Sequence, residues 1–376
     1  MHELVALDLP AGPTFVDALK RVWDAGDVVL PLDQRLDLAQ RRETARSCGA
    51  HSVEDESGRH ALEGTNPMLP DDALVVPTSG TTGTPKAAVL THTAVRASAR
   101  ASNESLGATS GDCWIACLPL AHVGGLSVIT RALELGGHLE VLPRLDPMIV
   151  ERITRDNPTF VSLVPALLKR VEPTWFRRIL LGGGRPPIER PGNCVTTYGL
   201  TETGSGIVHD GRPLRGVELR IVDGEVLVRS PMNMRGYLDG TTVIDSDGWL
   251  HTGDEGEIDS EGRLSVAGRR GDSVNTGGEK VWPEVVESVL SSWRPSVEFC
   301  VVGVPDPTWG RMLVLVTTDR SLDLGEVVDV VRASLPPWCA PKRIVPIDEF
   351  PRTSIGKMRR SEISRIASEV IGVDGS

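Results

Sequence analysis

The sequence lacks a basic excess, a long hydrophobic run and an N-terminal leader pattern. Its formal net charge is -11, which argues against a nucleic-acid-binding surface. No stretch has the unbroken apolar length that a membrane-spanning helix requires. The first five residues contain no basic segment followed by an apolar one, so we expect a cytoplasmic protein. Nucleic acids and membranes are therefore not expected partners.

Cysteine and lysine are both scarce. The 6 cysteines lie in apolar surroundings without CxxC spacing, which favours reduced core thiols over disulfides or a zinc site. Lysine occurs only at positions 20, 86, 169, 280, 342 and 357, so a lysine inside a motif is informative. With 376 residues, 40% of them hydrophobic, the chain can form a large core and more than one domain.

The most informative segment is residues 78–86, with the sequence TSGTTGTPK. It follows an apolar run and precedes a predicted helix beginning near Thr93. Glycines permit a tight turn that directs backbone N–H groups at phosphate oxygens, while hydroxyls add donors and lysine adds charge. The predicted phosphate-binding residues are Thr78, Ser79, Gly80, Thr81, Thr82, Gly83 and Lys86. The segment is not a Walker A loop, because Pro85 stands where that motif requires glycine.

Helical and apolar stretches alternate along the first half of the chain, which predicts an α/β fold of layered βα units. Helices are predicted over residues 13–24, 36–47, 93–105, 126–134, 147–155 and 165–171, and strands over residues 28–30, 113–117, 139–142, 159–163 and 178–181. The polar run 52–66 is predicted to be an exposed loop.

The pattern changes after Gly211, where alternating stretches predict a β-rich subdomain over residues 212–268. Asp223 and Gly224 separate two of these stretches, as in a type I′ hairpin. Helices at 281–293 and 324–335 and strands at 299–304 and 312–317 then predict a small α+β domain. We therefore predict a large N-terminal domain, residues 1–268, and a small mobile C-terminal lid domain, residues 269–376.

The phosphate loop and six further segments resemble, in the same order, the motifs of the adenylate-forming superfamily of acyl-CoA synthetases, peptide-synthetase adenylation domains and luciferases. The further segments include GGG at 182–184, YGLTET at 198–203, HTGD at 251–254 and PRTSIGKMR at 351–359. The resemblance extends from about residue 15 to residue 360. It implies ATP, Mg²⁺ and coenzyme A as cofactor and cosubstrates, and a carboxylic acid as substrate.

The resemblance also implies roles for individual residues. The ATP site would include Gly182, Gly183, Gly184, Tyr198, Gly199 and Thr201, with Tyr198 stacked on the adenine. Glu202 would hold Mg²⁺, since one carboxylate beside a triphosphate suffices for a cation that keeps several waters. Asp254 would accept hydrogen bonds from the ribose hydroxyls, with Arg269 near the same ribose. Taken alone, each has an ordinary explanation as a turn residue or a solvated charge.

The C-terminal segments resemble the family's mobile catalytic elements. Lys357 would bridge the substrate carboxylate and the α-phosphate, where a cation stabilises accumulating negative charge. The alternative is a basic solvated tail. Asp272 would be the hinge between the domains, although Gly271 stands where the family commonly has lysine or another polar residue. The predicted contacts of the pantetheine arm of CoA are Thr276, Gly277 and Gly278.

The segment LPLAHVGGL, residues 118–126, resembles the family's acyl pocket. It places His122 and Gly125 beside the acid, and His122 could equally be a structural histidine. Arg131 is a candidate cation for a second carboxylate of the acid. The alternative places Arg131 on an exposed helical face, paired with Glu134.

The region before the phosphate loop is short, since the loop begins at Thr78. In this it resembles the corresponding region of the o-succinylbenzoate–CoA ligases of menaquinone biosynthesis. The leading hypothesis is therefore an ATP-dependent acid–CoA ligase for o-succinylbenzoate, with a homodimer left open. Alternatives are a ligase for another aryl or short-chain acid, transfer of the acyl group to a carrier protein, or a nucleotide-binding regulator that has lost catalysis.

Overall fold

The computed structural model describes residues 2–78, 86–155, 159–187, 189–352 and 358–373. The strands are β1 Leu4–Leu7, β2 Val28–Pro31, β3 Ser52–Asp55, β4 Gly58–Ala61, β5 Asp72–Pro77, β6 Ala87–Thr91, β7 Cys113–Ala116, β8 His138–Val141, β9 Thr159–Leu163, β10 Arg178–Leu181, β11 Cys194–Leu200, β12 Ser205–His209, β13 Arg212–Pro213, β14 Glu218–Val222, β15 Glu225–Arg229, β16 Gly236–Tyr237, β17 Leu250–Ile258, β18 Leu264–Arg269, β19 Val274–Thr276, β20 Glu279–Val281, β21 Phe299–Asp306, β22 Gly310–Thr317 and β23 Arg343–Pro346. The α-helices are α1 Pro13–Asp24, α2 Leu38–Ser47, α3 His92–Leu106, α4 Val123–Leu135, α5 Pro147–Thr154, α6 Pro165–Leu168, α7 Pro283–Trp293, α8 Leu324–Ser334 and α9 Arg360–Ile371.

The chain divides into two compact units. The first contains Met1–Gly184, Pro191–Thr252 and Ile258–Ser265. The second contains Arg185–Arg190, Gly253–Glu257 and Val266–Ser376. The domain boundary near residues 269–272 stays a prediction from the sequence.

Two seven-stranded sheets form the centre of the first unit. One has the strand order β16-β6-β5-β2-β1-β3-β4 and the other the order β13-β12-β11-β10-β9-β7-β8. In the second of these sheets, β8, β7, β9, β10 and β11 are parallel. Their carboxyl ends therefore lie along one edge, where parallel sheets commonly bind ligands.

Helices α3 and α4 pack against each other beside these sheets. The Thr91 side chain caps α3 by accepting from Ala94 N, and α3 and α4 end at the left-handed residues Gly107 and Gly136. Helix α3 contacts β5, β6 and β12, while α4 contacts β7, β9 and β12. Apolar side chains of both sheets and both helices form one core, with Trp114 and Phe160 at its centre.

The second unit has a smaller sheet, ordered β20-β19-β22-β21, with β23 pairing parallel to β22. Alternate residues of β21 enter two different hydrophobic clusters. One cluster includes Val301 with α7 and α8 residues, and the other includes Val302 with α9 residues. The helices thus cover opposite faces of the sheet, which confirms the predicted α+β character of this part of the chain.

The structure confirms the α/β class and most of the predicted elements. Asp223 and Gly224 have φ angles of 49° and 80°, as a type I′ turn requires. The prediction of a loop over residues 52–66 was wrong, because β3 and β4 form a hairpin there. All six cysteines are buried and free. Among the described residues, none of the helices combines the length and apolar character needed to cross a bilayer.

Candidate functional site

Several predicted site residues lie where the parallel strands of the second sheet end. Strand β7 leads into the loop that contains His122, β10 leads into Gly182, and β11 contains Tyr198 and Gly199. A 3₁₀ turn, Thr201–Thr203, follows β11 directly and contains Glu202. The topology of the sheet therefore places these separated segments along one edge.

Thr78 and Lys86 form the neck of the predicted phosphate loop. Thr78 donates to the Lys86 carbonyl from its backbone nitrogen, at 2.6 Å, and from its hydroxyl, at 3.0 Å. The other predicted loop residues, Ser79, Gly80, Thr81, Thr82 and Gly83, lie outside the described residues. The expected strand–loop–helix order was wrong, because β6 comes between the loop and α3 and pairs antiparallel to β5.

Glu202 and Lys86 both contact the side chain of Tyr237, a residue that the sequence analysis missed. The Tyr237 hydroxyl donates to Oε1 of Glu202 at 2.8 Å. The Lys86 ammonium lies over the same ring, 4.7 Å from its centroid. The only signal in the sequence is that Tyr237 is one of two tyrosines in the chain.

Glu202 fits the proposed magnesium role. No group of three or more potential protein ligands occurs among the described residues, so a cage built from protein side chains is not present there. Magnesium instead favours one or two carboxylates with substrate phosphates and waters. Within the described ranges, Oε2 of Glu202 has no hydrogen-bond partner, and it is the oxygen that could take the cation.

The predicted adenine-side glycines are positions of close packing. A Cβ at Gly182 would lie 2.7 Å from Thr197 Cγ2, and one at Gly199 would lie 2.1 Å from the Ser205 carbonyl oxygen. Gly183 has a φ of 73°. The β11–β12 register shifts between Tyr198 and Gly199, so a bulge turns the strand beside the half-buried Tyr198.

His122 contacts two residues that the sequence analysis did not assign. Arg35 Nη2 donates to His122 Nε2 at 2.8 Å, and Arg35 also binds both carboxylate oxygens of Asp33. Because a guanidinium only donates, His122 accepts at Nε2 and carries its proton on Nδ1. Burial would raise the pKa of Asp33, whose Oδ2 lies 3.7 Å from His122 Nε2, but hydrogen bonds from Arg35 outweigh burial and hold that pKa well below its usual range.

Arg131 is a buried cation rather than a surface residue. It is 2% exposed, and its guanidinium donates to Ser162 Oγ at 3.2 Å and to Ser205 Oγ at 2.5 Å. The alternative of an exposed pair with Glu134 was wrong, because Glu134 accepts from Arg100. In the part of the chain that the structure describes, Arg131 forms no ion pair, and its Nε has no hydrogen-bond partner.

The surroundings of Arg131 are electrostatically positive. Burial lowers the pKa of Arg131 to about 10, so the side chain is charged at neutral pH. Burial and then the Arg131 charge lower the pKa of His209 to about 4, so His209 is neutral there. The aromatic face of Trp114 lies 5.4 Å from the guanidinium carbon and partly replaces the hydration that the buried charge has lost.

A small cavity lies between α3, α4 and Gly204. It has a volume of about 10 Å³, room for about one water molecule, and Ser98, Leu126, Ser127 and Thr130 are among its lining residues. The Ser127 hydroxyl has no hydrogen-bond partner among the described residues. Ser127 belongs to α4, the helix that also contains Arg131. The cavity therefore has apolar lining residues and one hydroxyl without a hydrogen-bond partner among the described residues.

The second unit contains the predicted ribose-binding residues. Arg269 Nε lies 3.1 Å from Oδ1 of Asp254, which is 7% exposed. The two residues that the resemblance assigned to one ribose are thus neighbours. Next to Asp254, Glu255 pairs with Lys280 at 2.5 Å.

The predicted CoA loop and hinge also lie in the second unit. Gly277 and Gly278 connect β19 and β20, with φ angles of 60° and 88°. A Cβ at Gly277 would lie 2.7 Å from the ring of Trp309, a 43% exposed residue that the sequence analysis missed. Thr276 is buried, whereas Asp272 lies in an exposed turn and donates its N–H to Arg269 O at 3.1 Å. Lys357 lies outside the described residues.

Comparisons with known proteins identify relatives over most of the chain. Residues 35–238 match the AMP-binding enzyme family, and residues 285–357 match the AMP-binding enzyme C-terminal domain. The 2-succinylbenzoate–CoA ligase of Bacillus cytotoxicus is 35% identical over 343 residues, or 80% of this chain and 71% of that protein.

Solved structures of o-succinylbenzoate-CoA synthetase from Bacillus subtilis share the fold. The complex with the acyl-adenylate intermediate has a TM-score of 0.84 and 27% identity, covering 96% of this chain and 88% of that chain. The complex with ATP and a magnesium ion has a TM-score of 0.83 and 28% identity, covering 96% and 89%.

Two adjacent glycines of α4 provide a matched test of the packing beside His122. A Cβ at Gly125 would lie 2.5 Å from the carbonyl oxygens of Leu118 and Pro119, whereas one at Gly124 would meet only Leu118 Cδ1, at 3.6 Å. We expect Gly125→Ala to lower the free energy of unfolding by about 1–3 kcal/mol through overpacking. Gly124→Ala should leave it unchanged or raise it, because alanine favours helix. Urea unfolding measures both, and equal effects would contradict the close approach.

Proposed function

The chain belongs to the AMP-binding enzyme family, and on that premise we propose that it is an ATP- and Mg²⁺-dependent acid–CoA ligase acting on o-succinylbenzoate in menaquinone biosynthesis. In the first half-reaction, the substrate carboxylate attacks the α-phosphorus of ATP and pyrophosphate leaves. In the second, the CoA thiolate attacks the acyl carbon and AMP leaves. The similarity to the 2-succinylbenzoate–CoA ligase of Bacillus cytotoxicus and to the Bacillus subtilis synthetase bound to an acyl adenylate supports both the reaction and the acid.

The residues of the first unit would bind the nucleotide. We propose that Thr78, Lys86 and the loop between them contact the phosphates, and that Tyr198 stacks on adenine beside Gly182, Gly183 and Gly184. Glu202 would hold magnesium, which neutralises phosphate charge when bound. Thr201 and Gly199 would shape the same edge.

The residues of the second unit would bind the ribose of ATP and take part in both half-reactions. We propose that Asp254 and Arg269 bind the ribose, since a carboxylate accepts from both hydroxyls of a diol. Lys357 would stabilise the charge that develops when one anion attacks another. The glycines of the loop Thr276, Gly277 and Gly278 would admit the pantetheine arm, and Asp272 would be the hinge.

The observation that carries the choice of acid is the buried guanidinium of Arg131. A charged group without a carboxylate partner is costly in a protein interior, and a ligand carboxylate would complete the pair. o-Succinylbenzoate has a carboxylate on its aromatic ring, remote from the one that is activated. The unsatisfied Ser127 hydroxyl adds a hydrogen-bond donor near the same helix face. We propose that His122 and Gly125 line the route to the activated carboxylate.

Pyrophosphate and AMP release with a panel of acids tests the proposed reaction. We expect o-succinylbenzoate to give AMP in the presence of CoA, and fatty acids of similar length to give far less. An acid-dependent release of pyrophosphate that needs a carrier protein instead of CoA would favour the carrier alternative. A protein that binds ATP but never forms AMP with any acid would be the nucleotide-binding regulator, which the retained Glu202 disfavours.

Arg131→Leu tests the assignment of the acyl pocket. We expect the KM for o-succinylbenzoate to rise at least tenfold, because a charged hydrogen bond contributes about 1.5–3 kcal/mol, while the KM for ATP changes little. Arg100→Leu is the matched control, because Arg100 pairs with Glu134 on the surface and is 70% exposed. Equal increases in both KM values would remove Arg131 from the acyl pocket.

Lys357→Ala separates the two half-reactions. We expect the rate of adenylation to fall by about 10²–10³-fold, the usual effect of losing one charge-stabilising donor. Thioester formation from supplied acyl adenylate should be spared. The control is Lys20→Ala, at an exposed position on α1. If overall turnover of Lys357→Ala equals that of the parent, the lysine has no catalytic role.

From the sequence alone, we also propose that the protein is cytoplasmic. Its assembly state is either a monomer or a homodimer. Sedimentation velocity at several concentrations measures the assembly state directly.

A further inference from the structure

Tyr237 contacts both Lys86 and Glu202 through its side chain. Its ring receives the Lys86 ammonium at 4.7 Å, and its hydroxyl donates to Glu202 Oε1 at 2.8 Å. The side chain is 93% buried, since the residue is 7% exposed. A buried ring with a single polar end in a defined hydrogen bond has little rotational freedom.

The backbone around Tyr237 is attached to the elements that contain both partners. Strand β16 pairs antiparallel with β6, placing Tyr237 opposite Ala88, two residues after Lys86. The Met234 N–H donates to the Glu202 carbonyl at 2.7 Å. Arg235 binds both carboxylate oxygens of the buried Asp72 at 2.8 and 3.0 Å, which fastens the same segment to β5. The position of Tyr237 is therefore fixed from three sides.

The charges around Tyr237 reinforce its hydrogen bond. A cation over an aromatic face withdraws electron density, so Lys86 makes the phenol a stronger donor to the Glu202 carboxylate. The bond occupies Oε1 and leaves Oε2 without a partner in the described ranges. Second-layer donors of this kind orient the carboxylates that ligate metals.

We propose that Tyr237 is a positioning residue that holds the Glu202 carboxylate and the Lys86 ammonium in one fixed arrangement toward a magnesium–nucleotide complex. The inference rests on the proposed function for the identity of the ligand. The contacts themselves belong to the free protein, so they can be tested without turnover. The phenol neither touches a reacting atom nor transfers a proton in this scheme.

The first experiment measures the magnesium dependence of ATP–pyrophosphate exchange in the full-length protein. Tyr237→Phe removes one oxygen and keeps the ring. We expect the magnesium concentration for half-maximal exchange to rise roughly tenfold, the lower end for loss of a second-layer partner, with the KM for the acid unchanged. Tyr237→Leu also removes the ring and should raise the KM for ATP as well. Lys20→Ala, at an exposed position on α1, is the control and should not alter the magnesium dependence.

The second experiment reads the contact without activity. The chain has two tyrosines, so 3-fluorotyrosine labelling should give two ¹⁹F signals, and Tyr198→Phe assigns them. In the ligand-free protein, Glu202→Gln should shift the Tyr237 signal and leave that of Tyr198 in place. Addition of ATP with magnesium should shift it further than addition of ATP alone.

Two results would overturn the inference. One is an unchanged magnesium dependence in Tyr237→Phe when Glu202→Gln raises it. The other is a Tyr237 signal that does not respond to Glu202→Gln. A protein that forms no AMP with any acid would refute the proposed function instead, and the ligand-free ¹⁹F measurement would still decide whether Tyr237 and Glu202 are in contact.

Discussion

The pairing of β5, β6 and β16 is the constraint on which the proposed nucleotide-binding end of the first unit depends. Antiparallel pairing of β5 with β6 brings Thr78 and Lys86 to the same edge, where Thr78 donates twice to the Lys86 carbonyl. Pairing of β16 with β6 adds Tyr237 beside Lys86. Thr78 and Lys86, at the neck of the loop, are therefore joined by one main-chain and one side-chain hydrogen bond. The Lys86 ammonium lies over the ring of Tyr237, whose hydroxyl donates to Glu202.

An ion pair between the partly exposed Arg235 and the buried Asp72 also stabilises this arrangement. Asp72 is 1% exposed and accepts two hydrogen bonds from Arg235, a geometry in which a carboxylate tolerates burial. The pair joins the first residue of β5 to the segment just before β16. The segment of residues 234–237 is thus attached at three places. Met234 binds Glu202, Arg235 binds Asp72 of β5, and β16 pairs with β6.

Local patterns in the sequence predicted the α/β class, most helices and the residues along the sheet edge, because periodicity and turn chemistry are local. They missed β6, a short strand with two alanines whose extended state depends on pairing with β5 and β16. They also missed the β3–β4 hairpin, since β4 is an exposed edge strand and edge strands are polar. Tyr237 and Arg35 could not be assigned, because their partners are 35 or more residues away in sequence.

In the proposed acyl pocket, the buried charge of Arg131 would select the substrate without a steric barrier. Among the described residues, two serine hydroxyls and an aromatic face offset the energy of removing this guanidinium from water. An apolar acid in the same place would leave the charge uncompensated. An acid with a second carboxylate would instead complete a pair in a low-dielectric setting. Discrimination then arises from the penalty for leaving a polar group unpaired, which generally exceeds what an apolar pocket gains from one added methylene.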